Sequence, residues 1–176
     1  MNEINNTNIE GCYYTDYFSH VDDRGTFDKF YIKKTLNNFD VKESALSVNL
    51  KKNTIRGIHY CEDNEYSQNK IILCISGSLL DVVIDLRKES KTFKNIFYKT
   101  FNFNDKKLIH IPKGCGHAFL TLEDNTSLIY LMDGYYNDNK EKGILWNSID
   151  FSWDIKKPII SQKDSKFPKY IDKFNL

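Results

Sequence analysis

Long apolar runs are missing: nowhere do the 176 residues approach the ~20 consecutive apolar positions that a membrane-spanning helix requires. Charge of one sign is missing too. Twenty-five Lys and Arg against 24 Asp and Glu leave a net charge of +1. No global field therefore drives the chain onto nucleic acid or an anionic membrane, and any anion must be held by a local cluster. Cysteine is scarce, and Cys12, Cys61, Cys74 and Cys115 fall in no CxxC or metal-like spacing. The opening MNEINNTNIE is polar, unlike a secretory signal. Free thiols in a reducing cytoplasm are the expectation. There is no HxH pair, so a metal centre built from strand histidines is not expected. Internal repeats, low-complexity linkers and 10–15-residue amphipathic helices are also absent, which argues against solenoids and α/β folds.

Short bursts of apolar and aromatic residues are present, separated by Asn, Asp, Lys and Gly. Strands are predicted over 13–18, 25–32, 44–50, 54–60, 70–76, 78–86, 93–101, 107–112, 117–123 and 127–133, with turn signals such as SGS, PKGCG and EDN between them. Residues 33–38 are the best candidate for a short helix. The pattern predicts one all-β domain over 1–176, an antiparallel jelly-roll barrel with a less regular C-terminal segment from about 140.

Polar residues sit where a barrel lining is expected. In SLLDVVIDL, Leu80, Val82, Ile84 and Leu86 share one face while Asp81, Val83 and Asp85 share the other. His117, Phe119 and Thr121 share a face, as do Leu128, Tyr130 and Met132. One polar group per apolar strand suits a small-ligand cavity. In RGIHY, residues 56–60, Arg56 and His59 would face opposite sides of a regular strand. They share a cavity only if the chain bends at Gly57.

Seven segments in order then carry a resemblance: RGIHY, QNKII (68–72), DVVIDLRKESKTF (81–93), IPKGCGHAFLTLED (111–124), LIYLMDGYY (128–136), EKGILWN (141–147) and SQKD (161–164). Together they resemble the nucleotide-sugar 3,5-epimerases of the dTDP-4-dehydrorhamnose 3,5-epimerase family, which are cupin jelly rolls. The resemblance implies that His59 is the general base, oriented by Asp164, and that Tyr130 is the proton donor on the opposite sugar face. It implies that Lys70 and His117 contact the ring and its 4-keto oxygen, with Asp81 beside them. Arg24, Arg56, Glu141 and Lys163 would bind the nucleotide diphosphate sugar. Tyr136 would stack on the base, and Phe27 and Asn49 fall in base-side segments. It further implies no cofactor, a nucleotide-linked 4-keto sugar as substrate, a role in polysaccharide sugar biosynthesis, and a homodimer, often built by swapping N-terminal strands.

The chemistry wants such groups. Epimerisation beside a ketone removes a proton from carbon and returns one to the other face, so two protic groups must flank the ring. Histidine, with a reference pKa near ~6.5, is a weak base for a carbon acid. A ~10-unit mismatch costs about 14 kcal/mol at roughly 1.36 per unit. The enolate oxygen must therefore meet a preorganised cation or donor, and Lys70 is the natural candidate.

Departures from the family pattern cluster on the base side. Cys61 stands where glutamine usually follows RGIHY, Ser47-Val48-Asn49 replaces glutamine-x-asparagine, and Phe27 is followed by Asp28 and Lys29. A GDP-linked or other NDP-linked sugar, hexose or heptose, stays open beside dTDP, as does action at C3 alone or at C3 and C5. A 3,4-ketoisomerase and a non-catalytic sugar-binding cupin are the alternatives.

Overall fold

The computed structural model describes residues 3–62, 66–137 and 140–171. The strands are β1 (Ile4–Asn6), β2 (Tyr13–Asp16), β3 (Phe18–Asp22), β4 (Gly25–Lys29), β5 (Glu43–Asn49), β6 (Ile55–Tyr60), β7 (Lys70–Ser76), β8 (Ser78–Asp85), β9 (Ile96–Asn102), β10 (Lys107–Ile111), β11 (Cys115–Thr121), β12 (Thr126–Met132) and β13 (Lys142–Gly143). A six-stranded sheet runs β1-β2-β10-β7-β12-β5, a five-stranded sheet runs β13-β6-β11-β8-β9, and β3–β4 forms a separate hairpin. All pairings within these sheets are antiparallel.

Three buried layers explain why these strands need not alternate polar and apolar. Between the sheets, Ile72, Ile109 and Leu128 of one meet Leu79, Val83 and Phe119 of the other. The outer face of the five-stranded sheet (Ile58, Val82, Ile84, Leu120) is covered by Ile144, Ile149 and Trp153 of the C-terminal segment. The outer face of the six-stranded sheet (Ile71, Leu73, Leu108, Leu131) is covered by Leu36 and Phe39. With both faces apolar, β7 and β8 read as nearly continuous hydrophobic runs. Each fully buried aliphatic side chain contributes about 1.5–3 kcal/mol of transfer free energy.

The boundaries differ from expectation where packing overrides local pattern. YYTDYF breaks into two strands because Tyr17 turns into the outer layer beside Leu36. GTFDKFYI stops as a strand at Lys29 because Phe30 and Tyr31 pack over the six-stranded sheet, where the Tyr31 hydroxyl donates to the Phe39 carbonyl at 2.7 Å. Residues 33–38 hold only a 3-10 turn, Lys33–Thr35. The polar start contributes a short edge strand, β1.

Candidate active site

The bend in RGIHY is real. Across β11, His117 pairs with His59 and Phe119 pairs with Arg56, so three steps on β6 oppose two on β11. Directly opposed residues share a face, and this extra residue brings Arg56 and His59 to the same side. Gly57 makes it possible: its φ is +113°, and an added Cβ would sit 2.5 Å from the His117 carbonyl oxygen and 2.7 Å from the Ala118 Cβ. The Gly57–Ile58 peptide is cis.

The bulge also prepares a seat for Asp164. Residues around Ile159 run beside the start of β6, with Ile55 N–H donating to the Ile159 carbonyl at 2.9 Å. SQKD follows, and the Ser161 hydroxyl accepts from the Asp164 backbone N–H at 3.0 Å. Buried Asp164 then accepts from the Gly57 backbone N–H on Oδ2 and meets His59 Nε2 through Oδ1, both at 3.0 Å. Burial alone would raise its pKa, but His59 and the Gly57 N–H prevail and hold it below the usual carboxylate value. With Nε2–H given to Asp164, His59 keeps Nδ1 as its basic nitrogen.

Facing β6 and β11 is β12. The Tyr130 ring stands edge-on to His117, centroids 6.1 Å apart. His117 Nε2 lies 2.9 Å from Asp81 Oδ2, both side chains buried. The second Asp81 oxygen is buried with no hydrogen-bond partner among the described residues, an acceptor left for a bound hydroxyl or water. Burial first, and then the Asp81 charge, push the Tyr130 phenol well above its ordinary pKa, with Arg56 opposing weakly. Tyr130 therefore stays a proton-bearing acid across the neutral range.

Lys70 opens β7 at the same end, directly across from Met132. Desolvation lowers its pKa against the pull of Glu141 and Cys61. It lines an open pocket whose walls include Cys61, Gln68, Tyr136 and Glu141. Glu141 Oε2 accepts from the Tyr136 hydroxyl at 3.1 Å and from Lys163 Nζ at 2.8 Å. On the other side of the dyad, Arg56 Nε donates to Asn49 Oδ1 at 2.7 Å, and Asn49 Nδ2 donates to the Thr126 carbonyl at 3.1 Å. Asn49 thus engages Arg56 through Nε and not through the terminal fork of the guanidinium.

A desolvated lysine on β7, an aspartate-oriented histidine on β6 and a high-pKa phenol on β12 are the kinds of group that proton transfer at carbon beside a carbonyl requires. The dTDP-4-dehydrorhamnose 3,5-epimerase sequence profile matches residues 6–172. This chain belongs to that family. The Salmonella typhimurium dTDP-4-dehydrorhamnose 3,5-epimerase is 32% identical over 154 residues, 84% of each chain. The crystal structure of the Bacillus anthracis enzyme, with TDP and pyrophosphate bound, superposes with a TM-score of 0.91 at 31% identity, covering 96% of this chain and 99% of that one. ChmJ, a 3'-monoepimerase from Streptomyces bikiniensis in complex with dTDP-quinovose, superposes at 0.87 with 27% identity, covering 98% and 91%. The likeness runs through whole chains, so the fold of this epimerase-family member is a cupin-type all-β barrel.

Within this one epimerase chain, two expected residues stand apart from the rest. Arg24 and Phe27 lie on the β3–β4 hairpin, where the Arg24 side chain pairs with Asp22 at 2.6 Å and the Phe27 ring is 65% exposed. Strands β3 and β4 pair with each other and with neither sheet. Two of the four histidines are elsewhere as well. His20 is exposed, and His110 stacks on Tyr13 at 4.8 Å on the outside of the six-stranded sheet. Sequence reasoning missed Ser161, although it stands inside the quoted SQKD, and it missed Phe167 and Gly143 beside His59.

Proposed function

We propose that this chain epimerises a dTDP-linked 4-keto-6-deoxy hexose through an enolate. The observation that carries the reading is an Asp164-oriented His59 on one sheet whose cross-strand neighbour, His117, meets the Tyr130 ring of the facing sheet edge-on. His59 Nδ1 takes the proton from the carbon beside the ketone, and Asp164 stabilises the imidazolium that results. Lys70, assisted by His117, stabilises the developing oxyanion. Tyr130 returns a proton to the opposite face, and collapse of the enolate restores the ketone with inverted configuration. Arg56 and Lys163 serve the diphosphate, and Tyr136 the base. The TDP and dTDP-quinovose seen in the two structural neighbours support dTDP over GDP.

The test is a panel of dTDP- and GDP-linked 4-keto-6-deoxy hexoses in deuterated water, followed by NMR. Deuterium entering C3 or C5 of the dTDP sugar supports the reading and shows which carbons react. A ketone migrating to C3 would point to a ketoisomerase, and no exchange with any member would defeat the proposal.

The working unit we propose is a homodimer in which each copy's hairpin completes its partner's site. Phe18, Val21 and Phe27 on the hairpin are half or more exposed, and the unpaired edge strand β5 exposes Leu46 and Val48, with Leu50 just beyond it. Arg24→Ala and His59→Ala are each expected to be inactive alone. When mixed and allowed to exchange subunits, they should recover up to about a quarter of wild-type activity, since half the dimers then carry one intact site. Full activity of Arg24→Ala by itself would rule the exchange out.

A further inference from the structure

The Phe167 ring stands perpendicular to the His59 imidazole, with centroids 5.7 Å apart and planes at 86°. It reaches that place through a gap. Gly143 on β13 is the cross-strand partner of His59, and a Cβ built on Gly143 would lie 2.2–2.3 Å from three carbons of the Phe167 ring. The segment bearing Phe167 is clamped on both sides. Phe167 N–H donates to the Asp164 carbonyl at 3.3 Å, and Leu145 N–H donates to the Pro168 carbonyl at 2.8 Å.

A single hydrogen bond between Nε2 and Asp164 leaves the imidazole free to pivot about that bond. A rigid contact perpendicular to the ring removes that freedom, and a base misplaced by about 1 Å can lose two orders of magnitude in rate. We propose that Phe167, seated in the notch left by Gly143, is a positioning residue for the general base. It keeps Nε2 on Asp164 and Nδ1 turned into the cavity. The inference rests on the epimerase reading, since it assigns His59 the base.

The first test is kinetic. Phe167→Ala should lower kcat about tenfold while KM stays within about twofold, and Phe167→Leu, which refills the notch, should restore most of the loss. Gly143→Ala should lower kcat too, by expelling the ring. In the Phe167→Ala background the same change should cost nothing further, because the two residues act through one contact. An unchanged kcat in Phe167→Ala, a rise in KM alone, or losses that multiply in the double variant would each overturn the proposal. Imidazole 15N NMR supplies a readout that needs no turnover. Wild type should show His59 in one tautomer protonated on Nε2, and Gly143→Ala should show averaged tautomers. Identical spectra would contradict the proposal even if the protein turned out to act on another substrate. Absence of epimerisation in wild type would instead defeat the epimerase reading and leave the NMR result standing.

Discussion

Each of the residues proposed for the acid–base chemistry draws its properties from one or two neighbours. Asp164→Asn keeps the shape of the dyad but removes the charge that stabilises the imidazolium, so kcat should fall by roughly 10²–10⁴ with the fold retained by circular dichroism. Lys70 must be charged to stabilise an enolate, yet burial favours its neutral amine. Its ammonium is therefore lost as pH rises through a value below the 10.5 of an ordinary lysine. The alkaline limb of kcat/KM should accordingly fall below that value, and in Lys70→Arg, whose side chain stays charged, the limb should recede to higher pH. His59, Tyr130, Asp164, Arg56 and His117 were open to proposal from the sequence because each lies in a short segment that carries the family resemblance. Phe167 was not. Its role comes from an approach across space to Gly143 and His59, and no spacing in the chain encodes that contact.

At the level of elements, the β6 bulge does most to assemble the site. Gly57 combines a positive φ, an N–H given to Asp164 and a Cβ direction blocked by His117 and Ala118. Gly57→Ala should destabilise the protein by about 3 kcal/mol, from backbone strain and overpacking together. That corresponds to a Tm lower by roughly 10 °C in differential scanning calorimetry. A drop of a degree or less would mean that the bulge tolerates a side chain. The bend was readable because Arg56 and His59 make sense together only if the strand irregularity lies between them. The β3–β4 hairpin was harder to read. TDYFSHVDDRGTFDK has the right turn signal, but Phe18, Val21 and Phe27 within it stay half or more exposed. Nothing in the local pattern separates a strand that joins its own barrel from one that stands out from it.

Across the whole molecule, the segment between β1 and β2 is tied to the barrel by a polar network as well as by apolar packing. Asp85, fully buried at the end of β8, accepts from Arg87 Nη2 at 2.8 Å and from Ser90 and Thr92 at 2.7 Å each, and Arg87 reaches the Glu10 carbonyl at 2.7 Å. Burial works against the charge, but these donors bring the Asp85 pKa down from 3.8 to about 2. A carboxylate with a depressed folded-state pKa stabilises the fold above its unfolded value and loses that contribution as pH falls. On the order of 2 kcal/mol should therefore vanish between about pH 4 and pH 2. Urea titrations across that range check the loss, and Asp85→Asn should flatten the dependence. The jelly roll as a class was legible from strand spacing, whereas the covering of both outer sheet faces by residues 30–41 and 144–155 was not, because those segments lack regular periodicity. The proposed mechanism sets a base on one sheet against an acid on the other. Tyr130→Phe probes that opposition, with solvent deuterium followed by NMR into a dTDP-linked 4-keto-6-deoxy hexose. This variant should still wash deuterium into the carbon beside the ketone but return it to the original face, with inversion severely reduced. Full inversion without the phenol, or complete loss of exchange with His59 in place, would contradict it.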